Sequence, residues 1–299
     1  NALVTTTSAE DGSFSFESIP YGTWYVREIE QPAGFVLDDT IYPVTIGADG
    51  QVVEIEIVNE YVRGNIHLTK VDSEYPDNKL TGAAFEVYKD SNANGKLDDG
   101  DELLGTLTEK EKGEYSMNDL FHGRYFVKET KAPEGFVLDT GVSEVMIDTN
   151  GKTYEVENKA GVGFINEAMR GNLKIVKTSS DGKVKGFAFR ITGANGYDII
   201  LETNDKGEIF IDGLRIGDYT ISEVSNSASS MYVLPADKKA TVKLGSTTIV
   251  EMHNVLRDTP KTGDTTNLPL LYALAGLSAV GIAVCGVIGF KKKKKEDRN

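Results

Sequence analysis

A single cysteine, Cys285, stands among 299 residues, so no disulfide can close within the chain and no cysteine-based zinc site can be built. Histidine is nearly as scarce. His67, His122 and His253 fall on separate segments, and a histidine-rich metal centre is not expected. Basic residues are outnumbered, 32 Lys and Arg against 46 Asp and Glu, for a net charge of −14. The last nine residues are net basic, so everything before them is more acidic still. Such a surface repels phosphate backbones, which excludes nucleic acid as a partner. No lysine occurs before Lys70, and the opening Asn1-Ala2-Leu3-Val4 carries no methionine, basic n-region or apolar run. An exported chain would start with such a leader, so the sequence reads as a fragment whose N-terminal part is missing.

Enough apolar residues are present, 39%, to build real cores, and the length suits two or three domains. From Thr265 to Phe290 no residue is charged, and residues 268–290 form a 23-residue apolar stretch. As a helix it would span about 35 Å, more than the roughly 30 Å core of a bilayer. One transmembrane helix is therefore expected there. The five lysines at 291–295 place the tail 291–299 in the cytoplasm and all that precedes the span outside the cell.

An internal repeat organises the remainder. The pattern Gly-x6-[Leu/Ile]-x2-Gly-x-[Tyr/Trp]-x3-Glu occurs at Gly12–Glu28, Gly113–Glu129 and Gly207–Glu223. The first two copies continue into Pro-x-Gly-Phe-Val-Leu-Asp, ending at Asp38 and Asp139. A closing block, Val58-Asn59-Glu60, Ile165-Asn166-Glu167 and His253-Asn254-Val255, ends each unit. The expected domains are thus residues 1–62 (incomplete), 63–169 and 170–257, with a linker at 258–267. Short alternating runs separated by Gly, Asp and Asn, such as Val53, Ile55 and Ile57 between Glu54 and Glu56, indicate strands, and their even spacing indicates β-sandwiches. The fold class expected is all-β, tandem sandwiches followed by one transmembrane helix.

Strand parity also says which side chains face inward. Lys70 shares parity with Ile66 and Leu68, and Lys177 with Leu173 and Ile175. Glu129 goes with Tyr125 and Val127, Glu223 with Tyr219 and Ile221, and Glu28 with Trp24 and Val26. Asn59, Asn166 and Asn254 each follow an inward apolar run. Unpaired burial of such groups would cost several kcal/mol, so they must interact. One reading is a buried Lys–Glu ion pair with a hydrogen-bonded Asn. The other is chemistry: desolvation neutralises both charges, the free amine attacks the Asn carboxamide with the Glu moving protons, and a Lys–Asn isopeptide bond forms as ammonia leaves. In the second unit Asn158 is a rival acceptor by parity. Asn166 is preferred because it, like Asn59, lies five residues before the glycine of an Arg-Gly pair.

The box Tyr125-Phe126-Val127-Lys128-Glu129-Thr130-Lys131-Ala132-Pro133-Glu134-Gly135-Phe136 resembles that of the collagen-adhesin B-type (prealbumin-like, Ig-like) domains of Gram-positive pilins and surface adhesins. The resemblance covers roughly residues 1–256. It implies spontaneous bonds Lys70–Asn166 with Glu129 and Lys177–Asn254 with Glu223. The third unit lacks the Pro-x-Gly-Phe that follows the Glu, and Glu28 and Asn59 of the first would take a lysine from upstream. Thr259-Pro260-Lys261-Thr262-Gly263, ahead of an apolar span and a basic tail, is similar to a cell-wall sorting signal, with Thr259 where leucine is usual. That resemblance implies a sortase as partner, cleavage after Thr262 and covalent attachment to peptidoglycan at the cell surface.

One more motif stands apart. Asp90-x-Asn92-x-Asn94-Gly95-Lys96-Leu97-Asp98-x-x-Asp101 matches most positions of an EF-hand loop, with Asp101 where the bidentate Glu belongs. It is a candidate calcium site; otherwise it is an acidic, solvated hairpin, and no cofactor is required. Within residues 1–299 no nucleophile–base pair, phosphate loop or metal-ligand cluster suggests an enzyme. The expected function is the stalk of a wall-anchored adhesin or minor pilin, whose further partners would be a host surface or matrix protein or other pilins. The alternatives are a polymerising pilin, which would need a lysine where Asp77 stands in Tyr75-Pro76-Asp77-Asn78, and the stalk of an enzyme whose catalytic domain lies upstream.

Overall fold

The alternation of apolar and polar residues becomes sheet wherever a partner strand is available. A computed structural model describes residues 3–257. Among them there is no α-helix, only a 3-10 turn at Ala194–Gly196, and no helix long and apolar enough to cross a membrane. The span expected at 268–290, the linker and the sorting motif lie outside the described residues. The chain divides after Met169 into two bodies.

The second repeat comprises β3 (Arg63–Asp72), β4 (Ala84–Lys89), β5 (Glu102–Thr106), β6 (Thr108–Glu111), β7 (Glu114–Phe121), β8 (Gly123–Lys131), β9 (Val142–Ile147), β10 (Thr153–Glu155) and β11 (Phe164–Asn166). One sheet runs β10–β3–β7–β6, with β11 also on β3; the other runs β5–β4–β8–β9. Ile66 and Leu68 of β3, Tyr115 of β7, Phe85 and Val87 of β4, and Tyr125 and Val127 of β8 close the core between them. Exposure along β3 alternates residue by residue up to Lys70, the signature of a strand with one wet and one dry face.

The third repeat repeats the plan with β12 (Arg170–Ser179), β13 (Ala188–Thr192), β14 (Asp198–Glu202), β15 (Glu208–Arg215), β16 (Gly217–Val224), β17 (Tyr232–Val233), β18 (Lys238–Val242) and β19 (Thr247–Leu256). Its sheets are β15–β12–β19–β17 and β14–β13–β16–β18. In both repeats the last strand lies parallel to the first. In the third the pairing is continuous from Asn172↔Thr247 to Ser179↔Asn254. In the second it is interrupted: β10 pairs with Asn65–His67 and β11 with Lys70–Asp72, and the register offset grows by six residues between the two. Residues 156–163 form the bulge.

The first repeat holds β1 (Gly22–Val26) against β2 (Tyr42–Ile46). The strand expected around Val53–Ile57 is not formed, although Ile55, Ile57 and Asn59 remain less exposed than their neighbours. Its counterparts β10, β11 and β19 draw their hydrogen bonds from the first strand of their own repeats, and residues 3–62 include no such strand.

The repeated residues have definite structural tasks. Tyr125 donates its hydroxyl to the Phe121 carbonyl at 2.7 Å, Tyr219 to Arg215 at 2.8 Å, and Trp24 uses its indole N–H on Pro20 at 2.8 Å. Tyr125 and Tyr219 bury their rings while the hydroxyl ties down the turn by which the chain crosses from one sheet to the other, and half-buried Trp24 makes the matching bond in the first repeat. The leading glycine packs on the first strand of its repeat. Gly113 (φ +71°) and Gly207 (φ +77°) accept the backbone N–H of Lys70 and Lys177 at 2.7 and 2.8 Å. A Cβ at Gly207 would lie 2.7 Å from the Lys177 carbonyl oxygen, closer than atoms allow. The glycine therefore fixes the strand register beside each buried lysine.

Candidate functional site

Two of the three polar groups in each complete repeat come from neighbouring strands of one sheet. Asn166 pairs with Asp72 in the β11–β3 ladder, two residues beyond Lys70, and Asn254 pairs with Ser179, two beyond Lys177. On a pleated sheet positions two apart share a face, so lysine and asparagine both point into the sandwich. The glutamate comes from the opposite sheet, Glu129 on β8 and Glu223 on β16. All six are buried: Lys70, Glu129 and Asn254 are 0% exposed, Lys177 1%, Asn166 2% and Glu223 8%.

In the second repeat Asn166 donates its Nδ2 to Glu129 Oε2 at 2.8 Å and to the Val137 carbonyl at 2.6 Å. The backbone N–H of Asp139 donates to the same Glu129 Oε2, also at 2.8 Å. Lys70 Nζ donates to the Phe164 carbonyl at 2.9 Å and to Val71 at 3.4 Å, with the Phe164 ring centroid 5.6 Å away. In the third repeat Asn254 Nδ2 donates to Glu223 Oε1 at 2.7 Å, while Lys177 Nζ donates to the Thr178 carbonyl and sits 4.1 Å from the centroid of Phe187. Four oxygens of these six side chains have no hydrogen-bond partner among the described residues: Glu129 Oε1, Asn166 Oδ1, Glu223 Oε2 and Asn254 Oδ1. The same two atoms stand idle in both repeats.

Burial sets the electrostatics. It pushes the Lys70 ammonium down to about 8, against the opposing pull of Glu129, Asp139 and Asp72. Lys177 is lowered for the same reason, against Glu223 and Asp181. Burial raises Glu129 above the usual carboxylate range, outweighing its hydrogen bonds from Asn166 and Asp139, and raises Glu223 likewise. Amine and acid are both driven toward their uncharged forms. The first repeat carries the same acceptor half: Asn59 Nδ2 donates to Glu28 Oε2 at 2.6 Å and to the Val36 carbonyl at 3.0 Å, and Asp38 N–H donates to Glu28 Oε2 at 2.8 Å.

Three segments, residues 2–61, 64–160 and 171–255, match the family described as SpaA, prealbumin-like fold domain. The chain belongs to this family. Serine-aspartate repeat-containing protein F of Staphylococcus epidermidis is 26% identical over 160 residues, 48% of this chain and 9% of that protein. Colossin-A of Dictyostelium discoideum is 24% identical over 254 residues, 74% of this chain and 2% of that protein. The structure of the Bacillus anthracis TIE protein superposes with a TM-score of 0.61 at 25% identity, covering 84% of this chain and 44% of that one. The chain thus spans less than half of each of these relatives.

Other predicted positions fall outside the SpaA-domain cores. Asn158, the rival acceptor, is exposed: its Nδ2 donates to Asp139 Oδ2 at 2.6 Å and to the Ile165 carbonyl at 2.9 Å, and its Oδ1 accepts Ile165 N–H at 2.6 Å. It faces away from Lys70 because the bulge carries it out of the sandwich. The hairpin Asp90–Asp101 closes on itself. Asp90 accepts the backbone N–H of Asn94 and Gly95 at 3.1 and 3.0 Å, and Asn92 and Asn94 turn their amides onto Asp98 at 3.0 and 2.6 Å. Asp101 caps Ser91 and Asp98, and Lys96 is exposed, its N–H given to Asn94 Oδ1. Among the described residues no group of three or more His, Cys, Asp or Glu is arranged to hold a metal. Calcium here would require the two asparagine amides to release Asp98 and turn their oxygens inward. The supporting roles of Val137 and Asp139 were missed in the sequence, although the Val-Leu-Asp run shared by the first two repeats carried the signal.

Proposed function

We propose that the chain is a covalently laced stalk segment of a wall-anchored surface protein, in which Lys70–Asn166 and Lys177–Asn254 bonds form without an external enzyme. The observation that carries this reading is the pairing, in two repeats, of a lysine driven toward the free amine with an idle asparagine carbonyl beside an acid driven toward protonation. A neutral amine has two hydrogens and a lone pair; the two carbonyls near Lys70 Nζ can take the hydrogens and leave the lone pair for attack. A proton on Glu129 Oε1 would turn that idle atom into a donor suited to Asn166 Oδ1, activating the carboxamide. Lysine Nζ bonds to asparagine Cγ, the Cγ–Nδ2 bond breaks, and Nδ2 leaves as ammonia with the hydrogen lost by the lysine, relayed through the glutamate. The relay restores the acid, so atoms and charge balance.

Thr259–Gly263 and the apolar span beyond supply the anchoring half of the proposal, with a sortase joining Thr262 to peptidoglycan. Intact-mass analysis tests both halves. Chain made without a sortase should weigh two ammonias less than its sequence, and wall-released protein should end at Thr262 bearing the wall-peptide remnant in amide linkage; a sortase-free mass equal to the sequence would leave only buried ion pairs.

The pH dependence of closure has a definite sign. The reactive pair must hold one proton between Lys70 and Glu129, on the acid rather than the amine. Above about 8 for Lys70 that last proton is lost and the acid ionises. Closure in the second repeat should therefore slow about tenfold for each pH unit above about 8, and slow again in acid once the pair takes up a second proton. Timed sampling of freshly synthesised chain at pH 6 to 10 measures this, and a profile flat across pH 7 to 10 would contradict it.

A further inference from the structure

We propose that Asn158 is a positioning residue that sets the rate of Lys70–Asn166 closure. The inference rests on the isopeptide reading above and goes beyond it. The two side chains that must meet Lys70 are held by one short strap: Asp139 N–H holds Glu129 Oε2, and the Val137 carbonyl holds Asn166 Nδ2. What holds the strap is Asn158. Its Nδ2 grips the Asp139 carboxylate through Oδ2, and the other carboxylate oxygen accepts Gly141 N–H at 2.8 Å. The same Asn158 side chain bonds both the N–H and the carbonyl of Ile165, the residue next to Asn166. One amide thus ties the support of the acid to the backbone of the acceptor. It sits on the bulge at 156–163 that interrupts the last strand of the second repeat, whereas β19 of the third runs through without interruption.

The third repeat is organised differently. Among the described residues Glu223 accepts only the Asn254 amide, and no strap residue reaches it. In the first repeat the strap is present, but the Asp38 carboxylate is held by Thr40 N–H at 2.9 Å and by the Tyr42 hydroxyl. The asparagine clamp belongs to the second repeat. Near-attack geometry governs the rate of a step between side chains of one fold, and a small misplacement is costly.

The test uses cell-free synthesis of the full chain, timed quenching, and quantification of the linked peptides containing Lys70–Asn166 and Lys177–Asn254. Asn158→Ala should slow the first linkage about tenfold and leave the second unchanged, the third repeat serving as a clock within the same molecule. Equal rates for wild type and variant, or slowing of both linkages together, would overturn the proposal. Asn158→Asp separates positioning from simple support of the bulge. It keeps the acceptor for Ile165 N–H but sets a carboxylate against Asp139. Its rate relative to wild type should recover as pH falls from 7 to 5, whereas a merely structural role gives a ratio that does not change with pH. If wild type forms neither linkage, the isopeptide reading fails and this inference fails with it; linkage in wild type with no effect of either variant removes this inference alone.

Discussion

Measured against its own sequence mass, Glu129→Ala should lose one ammonia where wild type loses two, Glu223→Ala should do the same for the third repeat, and the double variant should weigh what its sequence weighs. The expectation follows from what the glutamate faces. Lys70 and Asn166 share one sheet, so their proximity does not depend on Glu129, which arrives from the other sheet. What disappears with the carboxyl is the buried acid that accepts the Asn166 amide. Without it the charge developing on the carboxamide oxygen, which has no other hydrogen-bond partner, goes unstabilised. Loss of a general acid–base group typically costs 10²–10⁴-fold, and here it also removes the group that holds the acceptor amide. Glu129→Gln sharpens the test, because it preserves shape and hydrogen bonding but carries no transferable proton. Ammonia loss by the alanine variant at the wild-type rate would remove the glutamate from the mechanism.

The second large effect is on stability. A Lys70–Asn166 link closes a loop of about 96 residues and a Lys177–Asn254 link one of about 77, and loops of that size restrict the unfolded chain by about 4–5 kcal/mol each. Comparing wild type with Glu129→Gln by denaturant titration isolates the link from the packing. The variant should lose more than a thousandfold in its unfolding equilibrium for the second repeat. Reducing agent should leave the wild-type transition where it is, because the lone Cys285 offers no internal disulfide. A transition of Glu129→Gln coincident with wild type would mean that the repeat is held by packing alone.

Much of this was legible from residue order. Period-two parity placed Lys70, Lys177, Glu129 and Glu223 inward because each sits among apolar residues that the sheet must bury, and the repeat marked the glycines and aromatics whose tasks the structure then supplies. Parity failed where the chain leaves the lattice. Asn158 and Asn166 both end alternating runs, and only the bulge at 156–163 decides that one is outside and the other inside. Val53, Ile55 and Ile57 alternate as well as any strand, but a strand needs a partner, and residues 3–62 offer none. The acidic hairpin showed its spacing in sequence but not the direction of its amides, and it is the amide nitrogens of Asn92 and Asn94 that turn onto Asp98.

The parallel placement of first and last strands has a mechanical consequence. A pull on the two ends of the third repeat enters at the start of β12 and leaves at the end of β19, so it shears eight consecutive register pairs at once instead of peeling them singly. The second repeat offers two separate groups of three, and a rupture can begin at the gap. The domain with the weaker shear seam is thus the one whose lysine, acid and amide are held by the larger number of supporting groups.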